Sequence, residues 1–211
     1  MKKFQVGLLL AGSLSLASCN AVIQKAADNT PVSVLPLAGK KMTGSLTATD
    51  ETTLSLGAQA IYKVPFTLGP IPFGDFDPNS LPSALQNPKG LDIHLKFSNV
   101  TLACQTTADK LKMKISDVSL TVSDAAHGSA TVSSKPNIIL TLTKTANGYS
   151  VESNNILLKA VWSDFKAIVV KSGAETPNSA TLSLIAKFDD GAVGCAATLD
   201  LASTVEQNIR Y

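Results

Sequence analysis

The chain has 211 residues, 18 Lys and Arg against 16 Asp and Glu, a net charge of +2, and only 5% aromatic residues. Nucleic-acid binding needs a basic footprint to neutralise phosphates, and neither this balance nor any run of cations in the sequence supplies one. Aromatics are also too sparse for the interfacial girdles of an outer-membrane barrel.

The first nineteen residues have three parts in order. Lys2 and Lys3 give a positive start, Val6 to Leu16 is a short apolar run, and Leu16-Ala17-Ser18-Cys19 closes it. A run of this length suits the core of a secretory signal, whereas a spanning helix needs about 20 apolar residues. The closing tetrad resembles the lipobox of bacterial lipoproteins. That resemblance implies a cut between Ser18 and Cys19, a diacylglycerol on the Cys19 thiol and an acylated amino end; two or more acyl chains make a stable membrane anchor. Asn20 stands where an aspartate would signal retention in the inner membrane, so an outer-membrane destination is expected. Lys2 and Lys3 leave with the signal, which takes no acid, so the mature net charge is near zero.

Residues 20–40 mix Ala, Asn, Thr, Pro and Lys without period. They are expected to form a lipidated tether over 19–40, with one domain over 41–211. From Met42 onward the dominant signal is period-two alternation rich in Thr, Ser, Val, Ile and Leu, which predicts an all-β domain, an antiparallel β-sandwich. Residues 64–90 interrupt it with six of the ten prolines together with Phe66, Phe73 and Phe76. Proline avoids central strands, so this segment is expected as a long ordered loop with one helical turn near Ser83–Leu85. It would be either a structural lid or, with Phe73 and Phe76 at its tip, a binding lip. Phe66 is expected in the core on both readings.

Alternation then slips twice, in the same way. Leu95-Lys96-Phe97-Ser98-Asn99-Val100 and Met113-Lys114-Ile115-Ser116-Asp117-Val118 each alternate, pass through Ser followed by Asn or Asp, and resume one position out of step. One extra residue at a β-bulge would keep both apolar sets inward while bending the strand. Two tight turns between shorter strands are the alternative. Either way, neighbouring strands with matched bends are expected. Further on, His127-Gly128 and Asn147-Gly148 mark turns, and Asp190-Gly191 marks a hairpin in which Phe188 faces Val193, Ala186 faces Cys195 and Leu182 faces Leu199.

With Cys19 assigned to lipid, Cys104 and Cys195 remain as an even pair in an exported chain, and a disulfide between them is expected. Residues for a reaction are not gathered anywhere. His94 alternates with charged neighbours and reads as solvent-facing, and His127 reads as a turn residue. Ser163-Asp164-Phe165-Lys166 has Ser-x-x-Lys spacing without its companion motifs and reads as a strand or turn set. Asp75, Asp77 and Asn79 are a weak calcium candidate, since Ser80 and Gln86 stand where an EF-hand loop needs Gly and Glu. The sequence therefore predicts a non-enzymatic envelope lipoprotein without a cofactor, with an accessory, structural or binding role. Its expected contacts are the membrane through the anchor and an envelope protein or an apolar ligand. The rival reading is a carrier of lipid or another apolar ligand between bent sheets.

Overall fold

Alternating residues become antiparallel strands almost throughout. A computed structural model describes residues 30–32, 34–44, 62–73, 77, 79, 86–103, 108–152, 154–170, 178–189 and 196–211. In chain order the elements are β1 (Thr30–Pro31), β2 (Lys41–Gly44), β3 (Tyr62–Phe73), β4 (Gly90–Leu95), β5 (Phe97–Leu102), β6 (Lys110–Asp124), β7 (Gly128–Ser134), β8 (Ile138–Thr145), β9 (Gly148–Val151), β10 (Ile156–Val161), helix α1 (Trp162–Val169), β11 (Asn178–Asp189), β12 (Ala197–Leu201) and β13 (Glu206–Arg210). The all-β antiparallel expectation holds.

The strands form a four-stranded sheet, β1-β13-β4-β10, and a nine-stranded one, β11-β3-β2-β12-β5-β9-β8-β6-β7, with β11 also paired to β6. That last pairing closes the larger sheet on itself. Its pairs follow one another round from β11 through β3, β2, β12, β5, β9, β8 and β6 back to β11. The ring is closed at one end only. β4, β10 and β13 continue the tracks of β5, β9 and β12 into the smaller sheet. β7 continues the track of β8 along β6, because β11 occupies the other edge of β6. The domain is thus a barrel at one end that opens into two layers at the other. Helix α1 packs against β6 and β7 of one layer and β4 and β10 of the other. Closure leaves fewer strand edges for a second chain to pair with.

Both slips of phase are β-bulges. Asp200 lies opposite Asn99 and Leu201 opposite Phe97, so Ser98 is the extra residue. Ile185 lies opposite Asp117 and Ala186 opposite Ile115, so Ser116 is the extra residue. Each serine hydroxyl reaches a carbonyl across its bulge: Ser98 Oγ to Asp200 O and Ser116 Oγ to Ile185 O, both at 3.4 Å. Phe97, Val100, Ile115, Val118, Leu120 and Val122 are all buried as a result. The two bends are not on neighbouring strands, since β9 and β8 stand between β5 and β6.

Four expectations change. First, much of the proline-rich segment is strand: β3 pairs with β11 from Tyr62 to Phe73. Pro65, Pro70 and Pro72 occupy exposed positions, and β2 pairs only with Phe66 and Thr67 of β3. The outer edge of β3 therefore demands few N–H groups, which is where a sheet tolerates proline. Opposite Thr181, Gly69 and Pro70 form a further irregularity, and a Cβ on Gly69 would lie 2.6 Å from Ala180 O. Second, the β11–β12 hairpin does not form. The inward set Leu182, Leu184, Ala186 and Phe188 is buried as expected, but both edges of β11 are taken by β3 and β6, and β12 pairs with β2 and β5. The turn at 190–191 lies outside the described residues, as does the expected helical turn near 83–85. Third, the fold begins within the expected tether. β1 pairs with β13, and Val34, Leu35 and Leu37 are buried. Their backbone has no strand partner. Instead, Gln207 Oε1 accepts from Leu35 N at 2.8 Å and Val34 N at 3.2 Å, and Gln207 Nε2 donates to Leu35 O at 2.7 Å. Fourth, Ser163–Lys166 is helical. Trp162, Phe165, Ile168 and Val169 form the buried face of α1, and at its start Trp162 N donates to Lys89 O at 3.0 Å.

The bulge at Ser116 sets the phase for everything after it on β6. Ser116→Ala removes the 3.4 Å contact to Ile185 O and the 3.0 Å hydrogen bond to the Asp117 carboxylate, both part-buried, and is expected to cost about 1 kcal/mol. Deleting Ser116 would turn Val118, Leu120 and Val122 outward and is expected to abolish cooperative unfolding. Urea denaturation of the two variants checks this.

Candidate ligand-binding cleft

Strands β3, β11, β6 and β7 lie side by side, and three consecutive register rows cross them. Pro65 lies opposite Ile185, which lies opposite Asp117. Phe66, Leu184, Val118 and Ser134 form the next row, and Thr67, Ser183, Ser119 and Ser133 the third. These residues, with Lys135, line a cleft of about 360 Å³. Its origin is local. The extra residue at Ser116 bends β6, and opposite it Lys135–Asn137 part β7 from β8 on the same edge. Asn137 takes the left-handed conformation there, at φ 47°. Phe66, Leu184 and Val118 turn their side chains into the core, leaving Pro65, Thr67 and Ile185 as the apolar part of the outer wall. Asp117 is held at the rim by a 3.0 Å hydrogen bond from Ser116 Oγ. A volume of this size, half open and mainly apolar, suits a small ligand.

Next to the cleft the surface changes character. Two residues along β3 and β11 from the Pro65–Ile185–Asp117 row, and three along the bulged β6, Lys63, Lys187 and Lys114 occupy a single row. Lys110 and Lys112 continue from Lys114 along the outer face of β6. Among the described residues no carboxylate pairs with Lys110, Lys112, Lys114 or Lys187. Like charges directly opposite one another in a sheet repel.

Most residues singled out from the sequence lie elsewhere. Cys19, Phe76 and Asp75 are outside the described residues. So are Cys104 and Cys195, and the expected disulfide between them lies with them outside the described residues. Phe73 ends β3 and is buried at 9% exposure, which leaves little ring for a lip to present. Asp77 Oδ1 accepts from Asn79 N at 2.8 Å, which is turn chemistry. No group of three or more His, Cys, Asp or Glu that could hold a metal occurs among the described residues. His94 is partly exposed beside Asn155. Ser163 and Lys166 are both exposed on α1, and the Ser163 hydroxyl bonds Asp164, not a lysine. Neither the cleft nor the lysine row can be read from the sequence, because both arise from register between strands far apart in the chain.

His127 does sit in the β6–β7 turn, as expected, and it has a partner there. Its ring Nδ1 lies 2.8 Å from Asp124 Oδ2, and its backbone N–H donates to Asp124 Oδ1. The His127 side chain, followed by the N–H groups of His127 and Ala126, holds the Asp124 carboxyl below the usual carboxylate range, with desolvation opposing.

No family model matches the chain, and a search of curated proteins finds no match.

The Asp124 shift has a defined sign. Its folded pKa is depressed, so its contribution to stability is present above the ordinary carboxylate value near about 3.9 and is lost as pH falls through the lowered folded value. In a carboxyl-detected NMR titration, Asp124 is expected to titrate below the exposed aspartates, and His127→Ala is expected to move it up towards them, the backbone N–H donors of residues 126 and 127 retaining part of the lowering.

Proposed function

We propose that this protein is an exported bacterial lipoprotein, cut before Cys19 and anchored by lipid in the cell envelope, where it serves as a non-enzymatic accessory, structural or binding component. The observation that carries this reading is the order Lys2-Lys3, Val6–Leu16 and Leu16-Ala17-Ser18-Cys19 at the start of the chain. Asn20 favours the outer membrane. The early start of the fold supports the reading, because a short stretch after Cys19 ends in a segment clasped by Gln207 against β13. An anchor pulled at that end would load buried hydrogen bonds within the domain. An envelope protein is one class of partner. The cleft favours a second reading, in which the domain binds an apolar ligand from the envelope.

A Cys104–Cys195 disulfide belongs to the same proposal, since export makes it chemically available. The support is the β5–β12 ladder. Leu102 lies opposite Ala197, and Ala103 N donates to Ala196 O at 2.8 Å. Cys104 and Cys195 are the sequence neighbours of Ala103 and Ala196. The loop closed would be about 90 residues long, worth roughly 4 kcal/mol by chain entropy.

Mass spectrometry of the protein purified from membranes tests both parts. The mature amino terminus is expected to be an acylated Cys19, and non-reducing peptide maps are expected to join the Cys104 and Cys195 peptides. An unmodified terminus downstream of Cys19 would overturn the anchor. Free alkylation of both thiols would overturn the bridge alone.

A further inference from the structure

We propose that the outer cleft binds a single-chain anionic amphiphile, with its acyl chain along Pro65, Thr67 and Ile185 and its anionic head on Lys187 and Lys114. The inference rests on the apolar-ligand reading above and gives it a place and a chemical class. Two observations meet at one point. The cleft's exposed wall is mainly apolar by area, with Asp117 and serine hydroxyls at its margin, and its volume of about 360 Å³ is near that of a medium-length alkyl chain. Directly beside it, two lysines face each other across β11 and β6 with no carboxylate partner among the described residues.

Neither observation alone specifies a ligand. An apolar cleft without charge would take any hydrocarbon, and a lysine row without a cleft would be a solvated surface. Together they select a molecule with both parts in fixed relation. Residues two apart on a strand are separated by about 6.6–7 Å along it, so Lys187 stands one alkyl half-length beyond Ile185. An anion there would relieve the repulsion between Lys187 and Lys114, which no carboxylate among the described residues compensates. The lysine ammonium suits a carboxylate or phosphate head as a point charge. Near-zero net charge on the mature chain makes this concentration of cations a local feature and not a property of the whole surface.

The test uses the mature acylated protein in nanodiscs of phosphatidylcholine, with diazirine-bearing dodecyl phosphate as the probe. Saturable labelling is expected on the peptides carrying 65–67 and 183–185, competed by unlabelled dodecyl phosphate. The diazirine analogue of dodecanol is expected to label these peptides about tenfold less, as is the wild-type probe on the double variant Lys114→Gln/Lys187→Gln. Lys159→Gln, an exposed lysine on the smaller sheet, is expected to label normally. Competition by phosphatidylglycerol in the nanodisc would support a bilayer source for the ligand, and its failure would support a free amphiphile. Equal labelling by phosphate and alcohol, or by wild type and the double variant, would overturn the proposal. Saturable labelling confined to other peptides would overturn this site while leaving the apolar-ligand reading standing. No saturable labelling anywhere would remove both.

Discussion

The pairing of β11 with β6 is the contact on which the rest depends. Each strand offers a long alternating face, and they register from Ser179 opposite Ser123 to Asp189 opposite Lys112. β11 also pairs with β3 over most of its length. With both edges used, β11 ceases to be a terminal strand and becomes the one that joins the two ends of the larger sheet. Burial on the inner side follows: Leu182, Leu184, Ala186 and Phe188 meet Val64 and Phe66 from one neighbour and Met113, Ile115, Val118 and Leu120 from the other. At about 1.5–3 kcal/mol for each large apolar side chain removed from water, such a set is worth more than the net stability of a typical domain before chain entropy is subtracted.

A closed ring of long strands has to bend, and the bends carry the remaining features. Without an extra residue at Ser116, β6 could not keep Ile115 and Val118 both inward, and without the break at Lys135–Asn137 its partner could not follow. The outer cleft is a by-product of that shared bend. Ser98 performs the same service where β5 continues from β4. There, Asn154 stands in for a missing strand partner: its Oδ1 accepts from Phe97 N at 2.8 Å and its Nδ2 donates to Phe97 O at 2.9 Å. The salt bridge from Lys96 Nζ to Glu206 at 2.7 Å spans the same junction. It holds the Glu206 carboxyl below its ordinary range.

What was legible in the sequence was phase, and what was hidden was partnership. Period two and its two slips follow directly from which side chains must be buried, so the all-β class and both bulges could be read from single residues such as Ser98 and Ser116. The choice of neighbour for β11 could not. Its inward set is as complementary to the β3 and β6 faces as to β12, and a local turn signal at Asp190-Gly191 favours the nearest strand in sequence over the correct one. The prolines of β3 misled for a related reason: they forbid a central position, not an edge with little pairing. Val34 and Leu35 looked aperiodic because their backbone is satisfied by a glutamine more than 170 residues further on, and Leu37 because its N–H bonds locally to Leu35 O. The cleft and its lysines needed the register of strands widely separated in the chain.

Native-state amide hydrogen exchange along β11 tests the closure most directly. A strand with neighbours on both edges gives its N–H groups partners on either side, so successive amides from Leu182 to Lys187 are predicted to exchange only through global opening, all with similar protection. A β11 that pairs on one side alone would show alternation, with every second amide exchanging orders of magnitude faster. That pattern would contradict the closed ring and return the fold to an open sandwich.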